Sequence, residues 1–67
     1  MSARLEHLRQ LHDRALDRVE IARRQLRAAR ADPDNDAIER FEAEVRECER
    51  DAAHVELQII RAQEEAL

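Results

Sequence analysis

An aspartate and a histidine three residues apart, Asp51 and His54, are the first side chains of this sequence with chemistry to offer. On a helix that spacing places carboxylate and imidazole on one face, as in di-metal helical bundles. Such centres need several inward-facing ligands, and both residues fall off the apolar seam traced below. His7 and His12 are five apart and so lie on different helical faces, which argues against a shared metal. A helical metal or ligand carrier is therefore the third-ranked reading, and no cofactor is expected. His12 interrupts an otherwise apolar series. It could act as a pH-sensitive or ligand-binding core group. The reading adopted is a polar residue that fixes register or oligomeric state, as a buried asparagine does in coiled coils.

Cys48 is the single cysteine, so it makes no internal disulfide. A nucleophilic or redox thiol needs an activating base and access, and nothing in the sequence supplies them; Cys48 reads as a small core hydrophobe. Ser2 is the only serine, there is no glycine to build a phosphate-cradling loop, and Phe41 is the only aromatic residue. These absences exclude the usual nucleophilic, nucleotide-binding and base-stacking sites. No catalytic residue is assigned, and the chain is not expected to be an enzyme. Arg14, Arg24, Arg27, Arg40, Arg46, Arg50 and Arg61 could contact phosphates. They are interleaved with Asp13, Asp17, Glu20, Glu39 and Glu47, so they read as a solvated charged face.

The elements that would carry these residues follow from composition and periodicity. Sixty-seven residues make one small domain. Alanine, leucine, arginine and glutamate dominate, as in long helices and coiled coils. Charged residues make up 42% of the chain, yet the formal net charge is only -4, which does not suit a bare nucleic-acid binder. All twelve basic residues are arginine, read here as the mark of a GC-rich genome and compatible with a small bacterial or phage protein. No apolar run approaches a membrane span, and no charged segment followed by an apolar one opens the chain as a signal peptide would. A cytoplasmic location is expected.

Apolar residues recur at alternating spacings of three and four in each half of the sequence. The first series is Leu5, Leu8, His12, Ala15, Val19, Ala22, Leu26 and Ala29; the second is Ile38, Phe41, Val45, Cys48, Ala52, Val55, Ile59, Ala62 and Ala66. These are the seams of two amphipathic helices. Continuing the first register would put Pro33 and Arg40 on the seam, and an interior proline costs ~3 kcal/mol. The chain must therefore turn. Asp32 is pushed out of the helical region by Pro33, Asn35 is expected to take a left-handed conformation, and Asp36 with Glu39 reads as a capping box. The expected fold is all-α, a two-helix antiparallel coiled-coil hairpin over residues 1–67. Its first helix runs about 3–31, its turn about 32–36 and its second helix about 37–66.

Folded at that turn, Ala29 faces Ile38, Leu26 faces Phe41, Ala22 faces Val45, Val19 faces Cys48, Ala15 faces Ala52, His12 faces Val55, Leu8 faces Ile59 and Leu5 faces Ala62. Residues flanking the seam then give four opposite-charge pairs: Arg4 with Glu65, Arg9 with Glu56, Arg18 with Asp51 and Arg23 with Glu42. Such pairs set orientation and register more than stability.

A two-helix core of this length supplies only ~3 to 5 kcal/mol, so a partner is expected. Ala53, Leu57, Ile60 and Leu67 recur on the back of the second helix, and Ile21 leaves the seam of the first. These five are the candidate interface; Leu11 and Leu16 are expected to fold over the core. The simplest partner is a second copy, giving a four-helix bundle; a different protein is equally compatible, as is a domain-swapped pair. In length, turn position and heptad rhythm the expected hairpin resembles Rop, the plasmid copy-number regulator, although no sequence motif is shared. That resemblance implies a dimeric RNA- or DNA-binding regulator as the second reading. The first is a non-catalytic protein–protein interaction module: an adaptor, assembly factor or small inhibitor acting through helical faces.

Overall fold

The structure, a computed structural model, describes residues 3–32 and 35–65. Two helices account for all of them except Asp32: α1, Ala3–Ala31, and α2, Asn35–Glu65. The last backbone bond of α1 is donated by the Asp32 amide to the Ala28 carbonyl at 3.2 Å. Glu6 in the first turn and Arg30 in the last turn of α1, and Asp36 in the first turn of α2, each suit the local helix dipole. Pro33, Asp34, Ala66 and Leu67 lie outside the described residues.

The helices pack against each other in antiparallel fashion. Arg4 near the start of α1 meets Glu65 at the end of α2, and Arg30 at the end of α1 meets Glu42 near the start of α2. The Cα trace spans 50 × 14 × 10 Å, a rod two helices wide and one helix deep. Such a shape cannot surround a side chain on all sides. The seam residues Leu8, Ala15, Val19, Ala22, Leu26, Val45, Ala52 and Ala62 are buried, with Ala22 lowest at 2% exposed.

Packing is uneven along the rod. Ala22, Leu26 and Val45 form one buried cluster, flanked by Ile38, Phe41 and Cys48. Ala15, Val19 and Ala52 form the next, again against Cys48. The facing pairs Leu26 with Phe41, Ala22 with Val45, Val19 with Cys48 and Ala15 with Ala52 fall within these clusters, as the heptad register requires. Toward the open end Leu8 and Ala62 are buried but join neither cluster, and His12, Val55 and Ile59 are only half-buried.

On the far side of the turn, the described residues differ from expectation at Asn35. Asn35 is already helical and no described residue has a positive φ, so Asn35 does not serve as a left-handed cap. The described part of α2 begins at Asn35, two residues before the expected 37, and Asp36 lies in its first turn. The segment Asp32–Asp36 offers several side chains that can cap a helix N-terminus, and composition alone does not choose among them.

Candidate protein-interaction face

Heptad phase divides the rod into a seam, two flanking grooves and two outward backs. One groove is lined by His12, Leu16, Arg23, Glu49, Ala53 and Glu56, among others. The opposite groove is lined by Leu11, Arg14, Arg18, Asp51, His54 and Val55, with Ala15 at its floor. Every expected site residue except Leu67 can be placed against this frame.

The first groove leads onto the back of α2. Ala53, Leu57 and Ile60 are all exposed there, Leu57 at 52% and Ile60 at 44%. Leu16 does not fold over the core. It is 47% exposed and lines the same groove as Ala53. Leu16, Ala53, Leu57 and Ile60 therefore make one apolar face along the open half of the hairpin. Ile21, 53% exposed, lies elsewhere. It stands one heptad after Arg14, which lines the opposite groove, so it lies on the other flank and does not extend the face. The heptad position of Ile21 carried this signal in the sequence, since it matches Arg14 and not Leu16. Leu67 lies outside the described residues.

His12 is half-buried and lines the first groove beside Leu16. It is not enclosed in the core, because the rod has no third helix to cover it. Its layer marks the point where continuous seam packing stops.

Of the four expected ion pairs, Arg4–Glu65 forms, at 3.1 Å. Each partner carries the wrong sign for its own helix end, and pairing across the open end offsets both. Arg23 binds Glu49 at 3.2 Å instead of Glu42, and Glu42 instead receives Arg30 at 4.0 Å. Arg9–Glu56 and Arg18–Asp51 do not appear among the ion pairs of the described residues. The cause is side-chain direction. Cα–Cβ bonds tilt toward the N-terminus of their own helix. In an antiparallel hairpin Arg23 and Glu42 lean apart, as do Arg9 and Glu56, whereas Arg23 and Glu49 lean together. Arg18 and Asp51 lean together as Arg4 and Glu65 do, but aspartate is a methylene shorter than glutamate. All the formed pairs are well exposed, so each contributes only tenths of a kcal/mol, ~0.2 to 1.

The polar candidates stay dispersed. His54 exchanges a 3.3 Å hydrogen bond with Gln58 on its own helix. Among the described residues no three His, Cys, Asp or Glu side chains are placed to hold a metal ion together. The Cys48 thiol has its pKa raised above the ordinary value, first by burial and then by Glu44, Asp51 and Glu47, with Arg18 opposing. A raised thiol pKa lowers the thiolate fraction and hence nucleophilicity. Arg40 stacks over the Phe41 ring at 5.1 Å, covering the one aromatic edge of the seam. No described helix is long and apolar enough to cross a membrane.

No protein-family model, curated protein or solved structure matches this chain.

Proposed function

We propose that the chain is a non-catalytic protein–protein interaction module that works through its helical faces, the simplest assembly being two hairpins joined in a four-helix bundle. The carrying observation is the face formed by Leu16, Ala53, Leu57 and Ile60, which leaves three large aliphatic side chains about half exposed on one side of a very small protein. Scattered apolar residues are ordinary on a surface, but a contiguous set on one helical face is the usual mark of a contact surface. The arginines give less support to the nucleic-acid reading. Arg4, Arg23, Arg24 and Arg30 are each engaged by a glutamate, which leaves no unbroken basic stripe for a phosphate backbone.

The test compares the wild type with Leu57→Glu/Ile60→Glu and with Ile21→Glu. Far-UV circular dichroism should stay helical for all three, because none of the altered residues is buried in the seam. In affinity capture and chemical cross-linking, the wild type and Ile21→Glu should retain protein, whether a second copy or another chain, and Leu57→Glu/Ile60→Glu should lose it. Identical capture by all three proteins would overturn the proposal. So would bound nucleic acid whose release follows salt steeply.

A further inference from the structure

The two grooves beside the seam carry opposite charge. The first is the larger, about 440 Å³ against about 270 Å³. Its acidic lining residues are Asp17, Glu20, Glu49 and Glu56, with Arg23 its one arginine and His12 its one histidine. Arg23 is held by Glu49 at 3.2 Å, and Glu20 is reached by Arg24 of its own helix at 3.7 Å. Asp17 and Glu56, one on each helix, are in no ion pair with another described residue. The opposite groove reverses the sign, with Arg14, Arg18 and His54 against Asp51.

The surrounding charges do not extend this excess. Arg9, Asp13, Arg46, Arg50 and Glu64 are exposed around the first groove and the neighbouring back of α2, but none of them lines the groove. They mix both signs, so the acid excess belongs to the groove alone. Glu47 and Arg61 stand one heptad on either side of His54 and so belong to the other flank. Leu16 and Ala53 line the first groove together with its acids, and Ala53 leads on to the exposed Leu57 and Ile60. Apolar side chains set between acids from both helices match one kind of surface, an apolar stripe with basic side chains along both edges.

We infer that the first groove receives a basic amphipathic helix of another protein, laid along the hairpin with its arginines or lysines against Asp17 and Glu56. The inference rests on the interaction reading above and deepens it by naming the chemistry of the partner. A helix docked in a groove draws affinity from its apolar stripe and selectivity from its flanking charges. It would also cover the half-buried His12 layer, which the hairpin leaves open on this side. A second copy joined groove to groove about a two-fold axis would bring the same acids together from both chains.

Titration of labelled synthetic helices tests the match. One peptide of about 20 residues, about 30 Å of helix, carries leucine along one face and lysine on both flanks. Its control keeps the leucines and has glutamate on the flanks. Fluorescence anisotropy should show binding of the lysine-flanked peptide only. Asp17→Asn/Glu56→Gln should weaken that binding about fivefold or more. Glu39→Gln/Glu47→Gln removes the same net charge outside the groove and should stay within about twofold of the wild type. All four sites are exposed, so helicity serves as the folding control. Equal weakening by the two double variants would reduce the effect to net charge and overturn the inference, as would equal binding of the two peptides. A wild type that ignores the lysine-flanked peptide yet dimerises through Leu57 and Ile60 would overturn the inference while leaving the interaction reading intact.

Discussion

The half of the hairpin near the turn and the half near the open end are built from similar residues arranged in opposite ways. Near the turn, Ile38, Phe41, Val45, Cys48, Ala22 and Leu26 pack in one continuous cluster, and the outward positions Arg46 and Arg50 are charged. Near the open end, among the described residues, Leu8 and Ala62 are the buried members of the seam, with Leu5, His12, Val55 and Ile59 half-buried, while Leu57 and Ile60 sit on the outside. Along α2, apolar area moves from the inside to the outside, whereas on α1 the exposed Ile21 lies on the turn side. Apolar surface kept out of water stabilises by roughly 25 cal/mol per Å² wherever it is covered, so covering Leu57 and Ile60 would add to the open half what its seam lacks.

The contrast can be broken by substitution. The largest effect is expected from Leu26→Ala, which removes the centre of the turn-side cluster and should cost about 2 to 3 kcal/mol. Leu8→Ala, at a residue equally buried but outside both clusters, should cost about half as much, because fewer fixed neighbours border the cavity. Urea unfolding at one fixed protein concentration checks both, and equal losses would show that the two halves are packed alike. His12→Leu should act in the other direction. Extending the apolar seam through the half-buried layer should raise stability by about 1 kcal/mol, with a matching rise in midpoint and no loss of helicity.

The smallest effect concerns Cys48, where the two clusters meet. Its pKa is raised in the folded chain, so the folded state favours the neutral thiol. That contribution is fully present below the pKa of the unfolded thiol and is lost as pH rises through the higher folded value. Stability of the wild type should therefore decline in the alkaline range more than that of Cys48→Ala, as read from thermal melts across a pH series.

Much of this was legible before any coordinates. The spacing of Leu26, Ala22, Val19 and Ala15 against Phe41, Val45, Cys48 and Ala52 dictated the seam, because only one register puts all of them inside. The flanking charges were less legible. Counting heptads sets Arg23 level with the region of Glu42, but the tilt of each side chain toward its own helix N-terminus carries it to Glu49. The apolar face was half visible. Leu57 and Ile60 announced themselves by periodicity, whereas Leu16 became part of the face only once the groove it shares with Ala53 was in view.

The position of the best packing also bears on time. Residues beside the turn are close in sequence, so bringing Leu26 against Phe41 closes a short loop, while joining Leu8 to the region of Ile59 closes nearly the whole chain. Loop-closure entropy grows with length, and here the shortest closures are rewarded by the densest cluster. The hairpin should thus zip from its turn outward and fray from its termini inward. Amide exchange would be slowest in the helical turns around Ala22 and Val45 and fastest toward Arg4 and Glu65. The end of the molecule expected to spend most time opening is also the end where Leu57 and Ile60 lie exposed. Under the proposed function, a partner covering those residues would complete the folding of that end as well as begin the protein's work.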